Sequence, residues 1–293
     1  MNPASWARVL LFVVPGLWSS NYLIARLSAG VIAPHALALG RWTLALLILL
    51  PWVWRELLER RAALRREWPH LLVLGGTGMW ICGAFVYQAG HTTTAGNIAL
   101  IYATSPVLVT VASTWLLKER LTRLQGLAVG MALLGVLWVI TQGDPGRLRQ
   151  VQFTAGDGWI SMVAVSWVAY SLLLKHWPSQ LSPLARLVAI IAGAMLWLLP
   201  GTLIEASLVD VPPMSASGWG LIVLGALLPG VMSYGAFSYL QRELGAARTA
   251  LMLYLVPVYS AFGAWAVLGE RPGWHHAVGA ALILPSIWLA SRR

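Results

Sequence analysis

The residues with chemistry to offer lie inside long apolar stretches, and they are aromatic or neutral polar. Trp18, Asn21 and Tyr22 fall at i, i+3 and i+4, one face of a helix. Trp80, Gly83 and Tyr87 repeat that arrangement with Met79 beside them, and Asn97, Ile101 and Tyr102 line up ahead of Pro106. Farther along come Trp167, Tyr170 and Ser171, then Tyr234 and Ser238, then Tyr254 just before Pro257. Rings and a thioether accept an apolar or aromatic body, while amides and hydroxyls bind a zwitterionic head, so the set suits a small, amino acid-like ligand. No catalytic residues are expected, because the chain has no His-Glu-x-x-His and no paired carboxylates within its apolar stretches. Its histidines make no metal-ligand spacing, and Gly75-Gly76-Thr77-Gly78 lacks the Lys-Ser/Thr of a phosphate loop. Neither a metal nor a cofactor is expected.

Two prolines point to how these groups are arranged. The stretch Thr94 to Thr122 has an echo at Ala246 to Gly273, in which Tyr102, Pro106, Glu119 and Arg120 answer to Tyr254, Pro257, Glu270 and Arg271. A proline inside a helix removes one donor and frees the carbonyl four residues earlier, here those of Tyr102 and Leu253. In hydrocarbon such a carbonyl is tolerated only where protein or a water-filled cavity satisfies it. The expectation is two kinked helices facing one cavity, with freed carbonyls available to a ligand and Pro106 and Pro257 as gating hinges.

The elements that must position these residues are membrane helices. Of the 293 residues 58% are hydrophobic and 10% charged, with a mean hydropathy of +0.72, far more apolar than a soluble domain. Ten segments approach the roughly 20 apolar residues that span a bilayer: Trp6 to Ala25, Ala36 to Trp54, Pro69 to Gly90, Ala95 to Leu117, Leu121 to Thr141, Gly158 to Leu174, Pro183 to Glu205, Trp219 to Leu240, Ala246 to Leu268 and Trp274 to Ser291. The expected fold is an all-α integral membrane protein, with Trp6, Trp52, Trp54, Trp68, Trp219 and Trp274 as interfacial anchors among the lipids. With the N-terminus in the cytoplasm, 15 of the 20 Lys and Arg fall at cytoplasmic ends, including Arg55, Arg60, Arg61, Arg65 and Arg66. That bias puts both termini in the cytoplasm. The net charge of +10 is thereby a matter of topology, and no nucleic-acid partner is expected. Cys82 is the only cysteine, so there is no intrachain disulfide.

The chain also repeats itself. Trp18 and Trp167, Pro34 and Pro183, and Pro51 and Pro200 stand at one spacing of 149 residues. Gly83-Ala84-Phe85 and Tyr87 recur as Gly235-Ala236-Phe237 and Tyr239 at a spacing of 152. Residues 1 to 145 and 150 to 293 therefore read as two five-helix units in a single membrane domain. Five is odd, so the second copy is inverted, giving ten transmembrane helices as a 5+5 inverted-topology repeat around a central cavity. Inverted repeats with Gly or Pro in corresponding helices mark secondary transporters, with the substrate at the repeat interface.

The five-plus-five pattern, Trp18-Ser19-Ser20-Asn21-Tyr22 in the first helix, Pro34 and Arg41 in the second, and A-x-x-A-L-I-Y-x-x-x-P with a terminal Glu in the fourth resemble the EamA-type drug/metabolite transporters. The richness in Trp and Tyr is similar to that of bacterial inner-membrane exporters of aromatic and other amino acids. The resemblance implies an exporter of amino acid-like substrates in the bacterial inner membrane; the alternative is a drug, nucleoside or other metabolite exporter of the same superfamily, with proton coupling. Gly126, Gly130 and Gly135, and Gly220, Gly225, Gly230 and Gly235, read as surfaces for close helix packing within the fold, so a monomer is expected rather than a dimer. No Asp or Glu occupies a central position of a span, so no carboxylate relay is visible and transport down the substrate's own gradient is expected. Arg41 reads as a cation snorkelling to the surface, and Glu119 and Glu270 as structural groups at helix ends.

Overall fold

The structure, a computed structural model, describes residues 3–116, 123–141, 143–144, 146, 154–210, 213–244 and 255–291, and among them every regular element is a helix. In order these are α1 (Pro3–Leu27), α2 (Pro34–Glu59), α3 (Arg61–Leu74), α4 (Cys82–Ala89), α5 (Ala95–Tyr102), α6 (Ser105–Leu116), α7 (Arg123–Ile140), α8 (Ala155–His176), α9 (Pro183–Leu208), α10 (Ala216–Ala226), α11 (Ser233–Leu244), α12 (Val256–Leu268) and α13 (Trp274–Ser291). Six helical runs are long and apolar enough to cross a membrane: Val9–Leu27, Pro34–Glu59, Arg61–Ala89, Ala155–His176, Pro183–Leu208 and Ala216–Phe237. Shorter apolar helices cover Ala95–Val109, Gly126–Gly135 and Val256–Leu268.

Several of these elements differ from the expectation. The third span starts at Arg61 rather than Pro69, and it runs through a π-helical turn, Gly75–Ile81, directly into α4. A second π turn, Leu227–Met232, joins α10 to α11. The fourth span is broken rather than kinked. α5 ends at Tyr102 and α6 begins at Ser105, so Pro106 occupies the first turn of a new helix, where a missing amide costs nothing. Pro257 stands in the first turn of α12, and residues 245–254 ahead of it lie outside the described residues. The carbonyl of Tyr102 is not free for a ligand either, since the Ser105 hydroxyl donates to it at 2.7 Å and that of Thr104 donates to Ile101 at 2.6 Å. Tyr254, the Leu253 carbonyl and Glu119 lie outside the described residues, as do the side chains of Pro106 and Ser238.

The core is shared by both halves of the chain, with Leu37, Leu74, Tyr87, Ile98, Ile160 and Ile190 in one buried cluster. α2 packs along α9, α7 along α13, α4 against α8, and α1 against α11 and α12. The six tryptophans expected as interfacial anchors are all exposed, Trp52 most of all, as side chains facing lipid would be.

Candidate functional site

A cavity of about 660 Å³ lies among α1, α2, α5, α8, α9 and the α10–α11 rod, within the roughly 300–1,000 Å³ typical of small-molecule sites. Two strings of rings form its walls. Phe237, Trp18, Tyr234 and Trp42 meet at centroid separations of 5.1, 6.1 and 6.2 Å. In a second string, Tyr22, Tyr102, Trp167 and Tyr170 follow at 6.2, 5.9 and 5.2 Å. These are the edge-on and tilted arrangements that aromatic quadrupoles favour. The face of the α3–α4 rod turned to the cavity carries Gly78, Cys82 and Val86. Gly78 is required there: a Cβ on it would sit 2.4 Å from the Tyr170 ring.

The polar end of the cavity is organised by Arg41, which is 5% exposed. Its Nη1 donates to Asn21 Oδ1 and to the Tyr87 hydroxyl oxygen, both at 2.7 Å, and that hydroxyl donates in turn to Asn21 at 3.0 Å. The guanidinium carbon lies 4.4 Å from the centroid of the Trp42 ring, a cation–π contact. α10 passes close over the stem, because Gly225 has no side chain: a Cβ there would stand 3.3 Å from Arg41 Cδ. Arg41 therefore does not snorkel to a surface but faces inward. Near the far end of the cavity Arg186 donates to the carbonyls of Leu174 and Trp177, closing the last turn of α8.

A family profile, the EamA-like transporter family, matches residues 5–141 and again 154–292. The chain belongs to the EamA-like transporter family. It is 28% identical to the uncharacterized transporter YyaM of Bacillus subtilis, over 93% of this chain and 89% of that one. It is 25% identical to a probable terminal-alkyne amino-acid exporter of Streptantibioticus cattleyicolor, over 100% and 95%. A probable biotin transporter of Pseudomonas aeruginosa is 26% identical over 96% of each. A solved crystal structure shares the fold with a TM-score of 0.62 at 20% identity, covering 98% of this chain and 97% of that one.

Within this EamA-like transporter the structure brings Trp18, Asn21, Tyr22, Tyr102, Trp167, Tyr170 and Tyr234 onto the cavity wall together with Pro257. Three sequence candidates stand elsewhere. Met79 is fully buried in the core, its carbonyl accepting from Trp42 Nε1 at 3.1 Å. Trp80 turns away to stack on Trp197, centroids 5.4 Å apart. Asn97 sits in the first turn of α5, its side-chain amide donating to Thr93 at 3.3 Å. Sequence reasoning missed Arg41, Trp42, Arg186 and Phe237 as wall residues. The available signal for Arg41 was its position, a cation early in a span that no nearby lipid headgroup need explain. Asn97→Ala is accordingly expected to transport within about twofold of wild type, since an isolated neutral hydrogen bond is worth only ~1 kcal/mol to stability. Tyr102→Ala, which removes a ring from the wall, is expected to lower the rate about tenfold or more in protein that is still folded. Initial rates in liposomes, normalised to inserted protein, check both.

Proposed function

We propose that this EamA-like transporter exports small amphipathic metabolites, aromatic and other neutral amino acids first among them, by exposing one cavity alternately to the two sides of the membrane. The observation that carries the reading is the cavity itself: two strings of rings for an apolar body, and Arg41 with Asn21 in the wall, braced from behind by Tyr87, for a polar head. The relative named as an amino-acid exporter supports the substrate class. The lack of Asp and Glu among the described wall residues supports movement down the substrate's own gradient, without a carboxylate relay.

The 5+5 inverted repeat is supported by the double family match and by packing in which α2 meets α9 and α7 meets α13, its counterparts in the other half. In this reading Pro106 and Pro257 start the second parts of discontinuous helices and act as hinges. The distribution of Lys and Arg supports cytoplasmic termini in a bacterial inner membrane, and the protein acts as a monomer.

A second reading, in which the substrate is another metabolite, is favoured by the relative named as a probable biotin transporter; proton coupling is the alternative mechanism. Counterflow of labelled phenylalanine, methionine and a nucleoside, with and without a pH gradient, separates the two. Gradient-independent movement of the amino acids alone is expected. Movement of the nucleoside alone, or accumulation driven by the gradient, contradicts the proposal.

A further inference from the structure

The charge on the cavity wall is one-sided. Among the described residues its charged lining groups are Arg41 and Arg186, with no Asp or Glu beside them. Arg186 is engaged by the carbonyls at the end of α8. Arg41 is not: among the described residues only its Nη1 makes hydrogen bonds, both to neutral oxygens. Its Nε is buried with no partner, and no carboxylate pairs with it among the described residues. A guanidinium is a permanent cation, and burying one without a counter-charge is strongly unfavourable unless something else supplies that charge. The same structure shows the structural solution at Arg26, which is less buried and is met by Glu270 at 2.9 Å. Arg41, deeper and with no such partner among the described residues, lines the cavity with an Nη2 that makes no hydrogen bond among them, and from that nitrogen a guanidinium can donate a charge-assisted hydrogen bond to a carboxylate.

We infer that Arg41 is the anchor for a carboxylate on the transported molecule, which makes that carboxylate obligatory for recognition and an ammonium group dispensable. The inference rests on the transport reading above and narrows its substrate class to carboxylates with an apolar or aromatic body. Asn21 and Tyr87 fix the guanidinium from one side and Trp42 from its face, so the anion is met by a group already held in place. The rings of Tyr22, Tyr102, Trp167 and Tyr170 then take the body. Among the described lining residues no carboxylate meets an ammonium, which is left to ring faces and neutral oxygens, so losing the ammonium costs far less than losing the carboxylate.

The test is equilibrium binding to the full-length protein in detergent, using phenylalanine, 3-phenylpropanoate and phenylalaninamide, which share one ring. Both acids are expected to bind within a few-fold of each other, and the amide at least about 30-fold more weakly, the scale set by truncating one partner of a buried charged pair. Arg41→Gln is expected to erase the difference between acid and amide, and Arg41→Lys to keep part of it. If Arg41→Gln yields no folded protein, the wild-type comparison and Arg41→Lys decide. Equal binding of the amide and the acids, or discrimination that survives in folded Arg41→Gln, overturns the anchor. Phenylalanine counterflow measured on the same preparation keeps the two readings apart: counterflow with no preference for acids overturns the anchor alone, whereas binding and counterflow absent for all three probes overturn both.

Discussion

Glu270→Gln is expected to slow phenylalanine counterflow about tenfold while leaving the protein folded. Glu270 accepts from Arg26 Nε at 2.9 Å and from the Ala95 amide at 3.1 Å, and Arg26 also donates to the Gly90 carbonyl at 2.7 Å. One carboxylate thus ties the end of α1, the α4–α5 connection and the start of α5 to the segment between α12 and α13. Gly90 lies so close to α1 that a Cβ on it would meet the Ala25 carbonyl oxygen at 2.1 Å. None of these residues lines the cavity, which instead reaches Ser179, Leu181 and Pro183 beyond the opposite end of α8. In the proposed mechanism, in which each end of the bundle opens in turn, this clasp is the closure of one end and is made and broken in every cycle. Glutamine keeps the shape but removes the charge. Charge-assisted hydrogen bonds contribute roughly 1.5–3 kcal/mol against about 0.5–1.5 for neutral ones. With the pair partly solvated and screened, a tenfold shift toward the open state, ~1.4 kcal/mol, is the expected size. Cys82 stands on the cavity wall as the only cysteine, so its alkylation by a membrane-impermeant maleimide from the clasped side should speed up about tenfold. An unchanged rate from that side would mean the clasp is not the closure.

Gly75→Val is expected to leave little folded protein at all. A Cβ at Gly75 would lie 2.5 Å from the Ala194 amide nitrogen and 2.7 Å from the Ile190 carbonyl oxygen, and one at Gly193 would lie 2.9 Å from the Leu71 carbonyl oxygen. α3 and α9 therefore cross with their backbones in contact, the close approach that small residues allow in membrane bundles. Backbone cannot swing aside as a side chain can, so the two helices must separate. Overpacking of side chains alone costs typically 1–3 kcal/mol, and a backbone clash exceeds it. Gly220→Ala, where no described atom lies within 4 Å, is the control and should behave as wild type. Thermal unfolding with size-exclusion recovery distinguishes the two.

The helical membrane class was readable from hydropathy alone, and so were the aromatic residues of α1 and α8, because those helices keep the regular 3.6-residue turn on which face assignments depend. Met79 and Trp80 were misjudged for the same reason in reverse. The π turn at Gly75–Ile81 widens the helix locally and rotates the residues after it, so that Gly78, Cys82 and Val86 face the cavity while Trp80 meets Trp197. Nothing in Gly-Gly-Thr-Gly announces a π turn. Small residues do not announce their partners: Gly135 approaches Ile283 and Gly225 approaches Arg41, whereas a side chain at Gly126 or Gly130 would meet no described atom, and the backbone crossing runs through Gly75 and Gly193. Arg41 was visible as a cation in an apolar helix. What it does there depends on Asn21 and Tyr87, 20 and 46 residues away in the chain, and pairings at that range come from tertiary packing rather than from any local pattern.

The central claim is that substrate passes through this one cavity, and Cys82 offers its most direct test. The measurement is the rate of Cys82 alkylation in the wild-type protein as phenylalanine is titrated. A saturable slowing, half-complete at the concentration that half-saturates counterflow, is the predicted result. An alkylation rate unaffected by saturating phenylalanine, in protein that transports it, would contradict the account.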